Sequence, residues 1–264
     1  MDPAKSIKGT KKTGTTICGV VFKGGVVLGA DSKATGGHIV MDKSCMKIHK
    51  MTPSIYCGGA GTAADTHHVT AMIGSQLRLL ELNTGRPVRV ETACVKLKRH
   101  LFPYQGYVGA HLILGGCDFT GPHLYNVSNH GSVSPEDFSV MGSGSYAAVG
   151  VMESKYKPDM TEEEAINLTI EAITAGIIHD EGSGFYVNYT VIRHVKESPY
   201  AEVSHGYHVS RPAPRQKKIK GLFTIPRGET EIMKEIVVDF ATQTSEITID
   251  KPHNTPIKPV GYMQ

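Results

Sequence analysis

No apolar run in this sequence approaches the roughly 20 residues needed to span a bilayer, so no helical membrane anchor is expected. The first fourteen residues are polar and basic without an apolar segment, which argues against a secretory signal. Charge of one sign is scarce too. A formal net charge of +3 over 264 residues is too small an excess to point to nucleic acid or an anionic membrane. The five cysteines, Cys18, Cys45, Cys57, Cys94 and Cys117, are odd in number and scattered, with no CxxC pair and no Cys/His cluster at zinc spacing. A reducing compartment is expected, with no metal and no cofactor. In that setting the three Asn-x-Ser/Thr triplets at Asn126, Asn167 and Asn188 read as chance matches. No internal repeat is visible.

What is present is a 40% hydrophobic chain, long enough for one large domain or two small ones. Residues 15 to 60 hold short β-branched runs (TTICGVVF, GVVLGAD, HIVMD, SIYCGGAG) punctuated by Lys-Gly-Gly and Thr-Gly-Gly, which predicts hairpin strands. Val69, Met72, Ile73, Leu77 and Leu80 recur at helical spacing, predicting an amphipathic helix from Thr62 to about Leu82. A second helix follows through Val90, Ala93, Cys94, Leu97 and Leu101, stopped by Pro103. Strand patterns return in YVGAHLILGGCD, HLYNVS and FSVMGSG. Two further helices are predicted at about Ser145 to Tyr156 and from a Thr161/Glu164 capping box to about His179, before a last strand in FYVNYTVIRHV. The order strands, two helices, strands, two helices, strands suits two antiparallel sheets with helices packed outside. After about Ser198 the composition changes. The basic run at 211 to 220 reads as a solvated loop, and the long tail reads as a segment that lies across a neighbouring chain.

Gly14-Thr15-Thr16 followed at once by a strand is uninformative alone. It gains weight from Gly29-Ala30-Asp31, from Cys45-Met46-Lys47-Ile48, from Gly59-Ala60-Gly61-Thr62-Ala63-Ala64-Asp65, from Met141-Gly142-Ser143-Gly144 and from His179-Asp180-Glu181-Gly182-Ser183-Gly184. Together these resemble the catalytic beta subunits of the 20S proteasome, with the trypsin-like beta type 2 pattern nearest, over about Thr15 to Val195 and weakly in the tail segment LFTIPRGET. The resemblance implies an α+β fold, the four-layer αββα sandwich of the N-terminal nucleophile hydrolases. It also implies three segments: a propeptide over 1–14, a catalytic domain over 15–200, and an extension over 201–264 that wraps a neighbouring beta subunit.

The same resemblance implies a threonine endopeptidase acting on unfolded, ubiquitin-targeted proteins in cytoplasm and nucleus. Its partners would be the other alpha and beta subunits of a stacked heptameric-ring particle, and regulatory caps through that particle. The chemistry fits a terminal threonine. A free hydroxyl stays protonated at neutral pH and needs a base, and an α-amino group with a reference pKa of about 7.7–8.0 on the same residue is suited to the task. That amine exists only once the Gly14–Thr15 bond is broken, and Gly14 is expected there because glycine tolerates a strained backbone.

By the resemblance, Thr15 is the nucleophile, Lys47 lowers the cost of its alkoxide and Asp31 pairs with Lys47. Ser143, Asp180 and Ser183 hold the amine and its proton network, and the Gly61 amide serves the oxyanion. Substrate would lie extended between Thr35 and residues 61–63, with a side-chain pocket built by Ala34, Cys45, His49, Gly59, Ala63 and His67. Gly59 is expected to leave that pocket deep enough for lysine or arginine. His67 departs from the family pattern, which usually has an acid there. Cutting after basic residues is therefore expected to persist but weaken, with Asp65 or a neighbour's acid compensating. Three other readings stay open at this point: a non-catalytic ring subunit, a small-molecule amidase of the same superfamily, and a binding module using the basic run.

Overall fold

A computed structural model describes residues 14–37, 39–195 and 197–210. One five-stranded antiparallel sheet has the order β10 (Phe138–Gly142), β1 (Thr16–Phe22), β2 (Gly25–Asp31), β11 (Tyr186–Arg193), β12 (Glu202–Val209). The other runs β5 (Ile48–Thr52), β6 (Ile55–Gly61), β7 (Ala110–Asp118), β8 (Gly121–Val127), β9 (Val133–Pro135). A short ribbon of β3 (Ala34–Gly36) and β4 (Ile39–Asp42) stands apart from both.

Side-chain alternation along the strands explains the layering. On β1 and β2, Ile17, Val26, Leu28 and Ala30 face the second sheet, where they meet Ile48, Tyr56, Ala60, Ile113 and Leu124. Their neighbours Cys18, Val20 and Val27 face the other way, onto α3 (Ser145–Lys155) and α4 (Glu162–His179), against Ala148, Met152, Leu168, Ala172 and Ile173. On β6 and β7, Ile55, Cys57, Leu112 and Leu114 pack against Val69, Ile73 and Leu77 of α1 (Ala63–Thr84) and Ala93, Leu97 and Leu101 of α2 (Val90–Leu101). Two helices, two sheets, two helices is the αββα sandwich, with strands buried on both faces reading as near-continuous apolar runs.

The local signals work as written. The α1 helix stops at Gly85, whose left-handed backbone (φ 64°) lets its N–H reach the Glu81 carbonyl. Thr161 and Glu164 cap α4 reciprocally, each side chain bonding the other residue's backbone N–H. Pro103 sits inside a single 3₁₀ turn, Phe102–Tyr104, that follows α2 without a gap.

The sheet does not end at residue 200. Strand β12 pairs in register with β11 from Arg193↔Glu202 to Tyr186↔Val209, so the sandwich extends to about residue 210. Its apolar residues Val203, Tyr207 and Val209 share one face but are interrupted by His205 and largely exposed at the sheet edge, a weak strand pattern that left the segment in the tail. The basic run at 211–220 and the tail beyond lie outside the described residues, as does most of the 1–14 leader.

Candidate active site

Thr15 directly precedes β1 and is 3% exposed. Pairing places it. Ile17 faces Ala30 on β2, so Asp31 at the end of β2 falls beside Thr16 and accepts the Thr16 amide on Oδ1 at 2.9 Å. On the other flank, β10 ends at Gly142 opposite Thr16, and the Gly144 amide bonds the Thr15 carbonyl at 3.2 Å. Gly142 is required at that turn: its φ is +100°, and a Cβ there would lie 2.1 Å from the Thr15 carbonyl oxygen.

Lys47 arrives from the second sheet, just before β5. Its carbonyl is fixed by the Gly59 amide at 2.9 Å, and its side chain crosses to the first sheet. There Nζ donates to Asp31 Oδ1 at 2.7 Å, to Thr15 Oγ1 at 3.1 Å and to the Gly14 carbonyl at 3.1 Å. The ion pair is almost dry, with side-chain exposures of 7% and 0%. Burial pushes the Asp31 carboxyl above its ordinary value, while the Lys47 ammonium and the amides of Thr16 and Gly184 pull it back. The Thr15 hydroxyl donates to the Gly14 carbonyl at 2.7 Å, so it lies against the bond that would release it.

A second network surrounds the Thr15 nitrogen. Thr15 N–H donates to Ser143 Oγ at 3.0 Å, and Ser143 and Ser183 each donate to Asp180 Oδ2 at 2.6 Å. Asp180 caps the end of α4, its amide bonded to the Gly176 carbonyl at 2.8 Å, which anchors the acid to a helix rather than to a free loop.

At Gly14 a Cβ would lie 2.2 Å from Gly182 Cα, so this glycine packs face to face against the loop that carries Asp180 and Ser183. The Gly14 amide points to Thr35 Oγ1 at 3.4 Å, which puts the residue before the bond on the β3 side.

Of the pocket residues, Ala34, Cys45 and His49 are half-buried, while Ala63 and His67 are exposed at the start of α1. The His49 and His67 rings meet edge to face at 5.8 Å between centroids. Burial, and then the neighbouring His67, lower the His49 pKa below its ordinary value. Gly59 shares the helix-facing side of β6 with Cys57, and a Cβ would lie 2.9 Å from Thr66 Cβ, so its missing side chain lets α1 approach the strand.

Gly61 ends β6 at φ +113°, and Thr15, Gly61, Thr62, Asp65, His111 and Ser143 border a cavity of about 560 Å³. Asp65 Oδ2, at the border of this cavity, accepts the Gly109 amide at 2.8 Å. Burial pushes the Cys45 thiol up, the Lys47 ammonium pulls it down, and the carboxylates of Asp42, paired across the ribbon with Ala34, and of Asp31 raise it further. Sequence reading missed both Asp42 and Thr16. Among the described residues, no group of three or more His, Cys, Asp or Glu could hold a metal ion, and no helix is long and apolar enough to cross a membrane.

Residues 11–192 match the family described as Proteasome subunit. The chain is 49% identical over 230 residues to "Probable proteasome subunit beta type-2" of Schizosaccharomyces pombe, covering 87% of this chain and 84% of that protein. The chain belongs to the proteasome beta subunit family. It is also 59% identical over 181 residues to "Proteasome subunit beta type-7-B" of Arabidopsis thaliana, covering 69% and 66%, and 47% identical over 227 residues to "Proteasome subunit beta type-2" of Saccharomyces cerevisiae, covering 86% and 85%. As a proteasome beta subunit it assembles with other proteasome subunits into the core particle. The family includes threonine peptidases, and the sandwich described above is its fold.

Proposed function

We infer that this beta subunit is a threonine-type endopeptidase of the core particle that frees its own nucleophile by cutting the Gly14–Thr15 bond. The observation that carries the reading is one ammonium, Lys47 Nζ, at 3.1 Å from both the Thr15 hydroxyl and the Gly14 carbonyl. In the self-cut, Oγ1 adds to the Gly14 carbonyl carbon and the negative oxygen forms beside Lys47. The C–N bond then breaks as the proton given up by the hydroxyl passes to the Thr15 nitrogen, and water hydrolyses the resulting ester to a Gly14 carboxylate and the free hydroxyl. On substrate the freed amine takes the hydroxyl proton, Oγ1 attacks the peptide carbonyl and the Gly61 amide receives the oxyanion. The amine returns the proton to the leaving nitrogen, and water cleaves the acyl ester.

Substrate would be unfolded polypeptide pairing with β3, where the Gly14 amide already meets Thr35. Preference for basic side chains is proposed, weakened by His67. Regulatory caps, residence in cytoplasm and nucleus, and a tail over a neighbouring beta subunit belong to the same proposal. N-terminal sequencing of the subunit from assembled particles, with an electrophile that labels terminal threonine, tests it. A labelled chain starting at Thr15 is expected, and Thr15→Ala should lower its turnover to background. Active particles that keep the leader, or full turnover in Thr15→Ala, would refute the assignment.

A further inference from the structure

Thr16 is fully buried and owns two polar groups, and each reaches a different half of the site. Its amide donates to Asp31 Oδ1 at 2.9 Å, the same oxygen that holds Lys47. Its hydroxyl lies 2.7 Å from Ser183 Oγ. Counting protons fixes the direction of that second bond. A carboxylate only accepts, and Asp180 Oδ2 takes one hydrogen bond from Ser183 and one from Ser143, at 2.6 Å each. Each serine has a single proton: Ser183 directs its proton to Asp180, and Ser143 does the same at 2.6 Å in preference to the Thr15 carbonyl at 3.3 Å. Ser183 can therefore only accept from Thr16, as Ser143 accepts from the Thr15 nitrogen at 3.0 Å. Two hydroxyl chains converge on one carboxylate, and Thr16 starts the one opposite the reacting residue.

The Thr16 side chain is also held in place. A Cβ at Gly144, the residue before α3, would lie 2.0 Å from Thr16 Oγ1, and one at Gly176, in the last turn of α4, would lie 2.4 Å from it. Both glycines leave a slot that the threonine fills, so its hydroxyl has one direction to point.

We propose that Thr16 is a positioning residue: by donating to Ser183 it orders the Ser183–Asp180–Ser143 chain that sets the protonation and orientation of the Thr15 amine. The proposal rests on the threonine peptidase reading. Removing the donor leaves Ser183 Oγ short of a partner and loosens Asp180, so Ser143 holds the amine less firmly. A weaker acceptor stabilises the protonated amine less, and its pKa falls.

The test compares particles carrying Thr16→Val, which keeps the shape and loses the hydroxyl, Thr16→Ser, which keeps the hydroxyl, Ser183→Ala, and the Thr16→Val/Ser183→Ala pair, each normalised to subunit whose mass shows a Thr15 start. Thr16→Val should lower kcat about fivefold, the size of one ordinary hydrogen bond, with KM unchanged. The acid limb of its pH–rate profile should move to lower pH, and Thr16→Ser should restore both. In the Ser183→Ala background Thr16→Val should add nothing. An unshifted acid limb, or an equal loss in the Ser183→Ala background, overturns the proposal. A Thr15→Ala control separates the two ideas: if it retains turnover, the peptidase reading itself fails, whatever Thr16 does.

Discussion

Lys47→Met removes the charge at the centre of the site while keeping much of its length and apolar stem. At 3.1 Å from Thr15 Oγ1, with an effective dielectric of about 20, a unit charge on that oxygen interacts with the ammonium by about 5 kcal/mol. Roughly half that charge develops in the transition state, giving about 2.5–3 kcal/mol, or about a hundredfold in rate. Because Nζ is equally far from the Gly14 carbonyl, the same factor applies to the self-cut. Both processes should therefore slow together. Asp31 keeps its amide donors from Thr16, Lys33 and Gly184, so the variant should still fold and assemble. The assay is mass measurement of the subunit's start in assembled particles, alongside turnover of a peptide with a basic residue before the cut. Substantial uncut leader and turnover down about a hundredfold are expected, with Lys47→Arg intermediate because its planar fork cannot place one donor on all three acceptors. A Lys47→Met particle that starts at Thr15 and works within fivefold of the parent would refute the electrostatic argument.

The pocket gives a pH prediction with a definite sign. The His49 pKa is lowered by burial and by His67, so its imidazole is neutral at pH 7 and gains charge only below its ordinary value of about 6.5. The KM for peptides with arginine before the cut should rise as pH falls through that region, and His67→Glu should lower KM for them at pH 7; no change in either would remove the histidine pair from specificity. Away from the site, Asp118 accepts the Val90 amide at 3.0 Å and so caps α2 from a neighbouring hairpin. Burial alone would raise its carboxyl, but the Thr120 hydroxyl and amide, the Val90 amide and His123 hold it below its ordinary value. A depressed carboxyl stabilises the fold above about pH 4 and loses that contribution as pH falls through its folded value. Asp118→Asn should cost about 1–2 kcal/mol at neutral pH in thermal unfolding of the precursor chain and flatten the acid dependence below pH 4.

The architecture was largely legible because both sheets are covered on both faces, so their central strands are apolar runs bounded by glycine. Strands that bury little were not. Val133–Pro135 is three residues long, and Glu202–Val209 carries Ser204, His205, Gly206 and His208 at an edge. The site was legible in pieces by resemblance, yet its connectivity was not. Thr15 meets Ser143 across 128 residues, and Thr16 meets Ser183 across 167, contacts no local pattern encodes. Gly59, given to the pocket by the family resemblance, shares the α1-facing side of β6 with Cys57, a detail of strand parity that the resemblance alone did not supply.

On the proposed reading, the two networks also account for the chain being safe before the Gly14–Thr15 bond is cut. With the leader attached, the Thr15 nitrogen is an amide, its lone pair is delocalised, and it donates to Ser143 rather than accepting a proton. Every other part of the proposed machinery is already in place around it, down to the hydroxyl at 2.7 Å from the Gly14 carbonyl. The self-cut must then proceed without the base that substrate turnover uses, a handicap of about 10²–10⁴ if the amine is worth what positioned bases usually are. A slow event that happens once per subunit tolerates that handicap, whereas repeated peptide cleavage does not. On the proposed reading, blocking one nitrogen restrains the chain without distorting it, and Gly14 packs face to face on Gly182 while the serines and Asp180 stay in order.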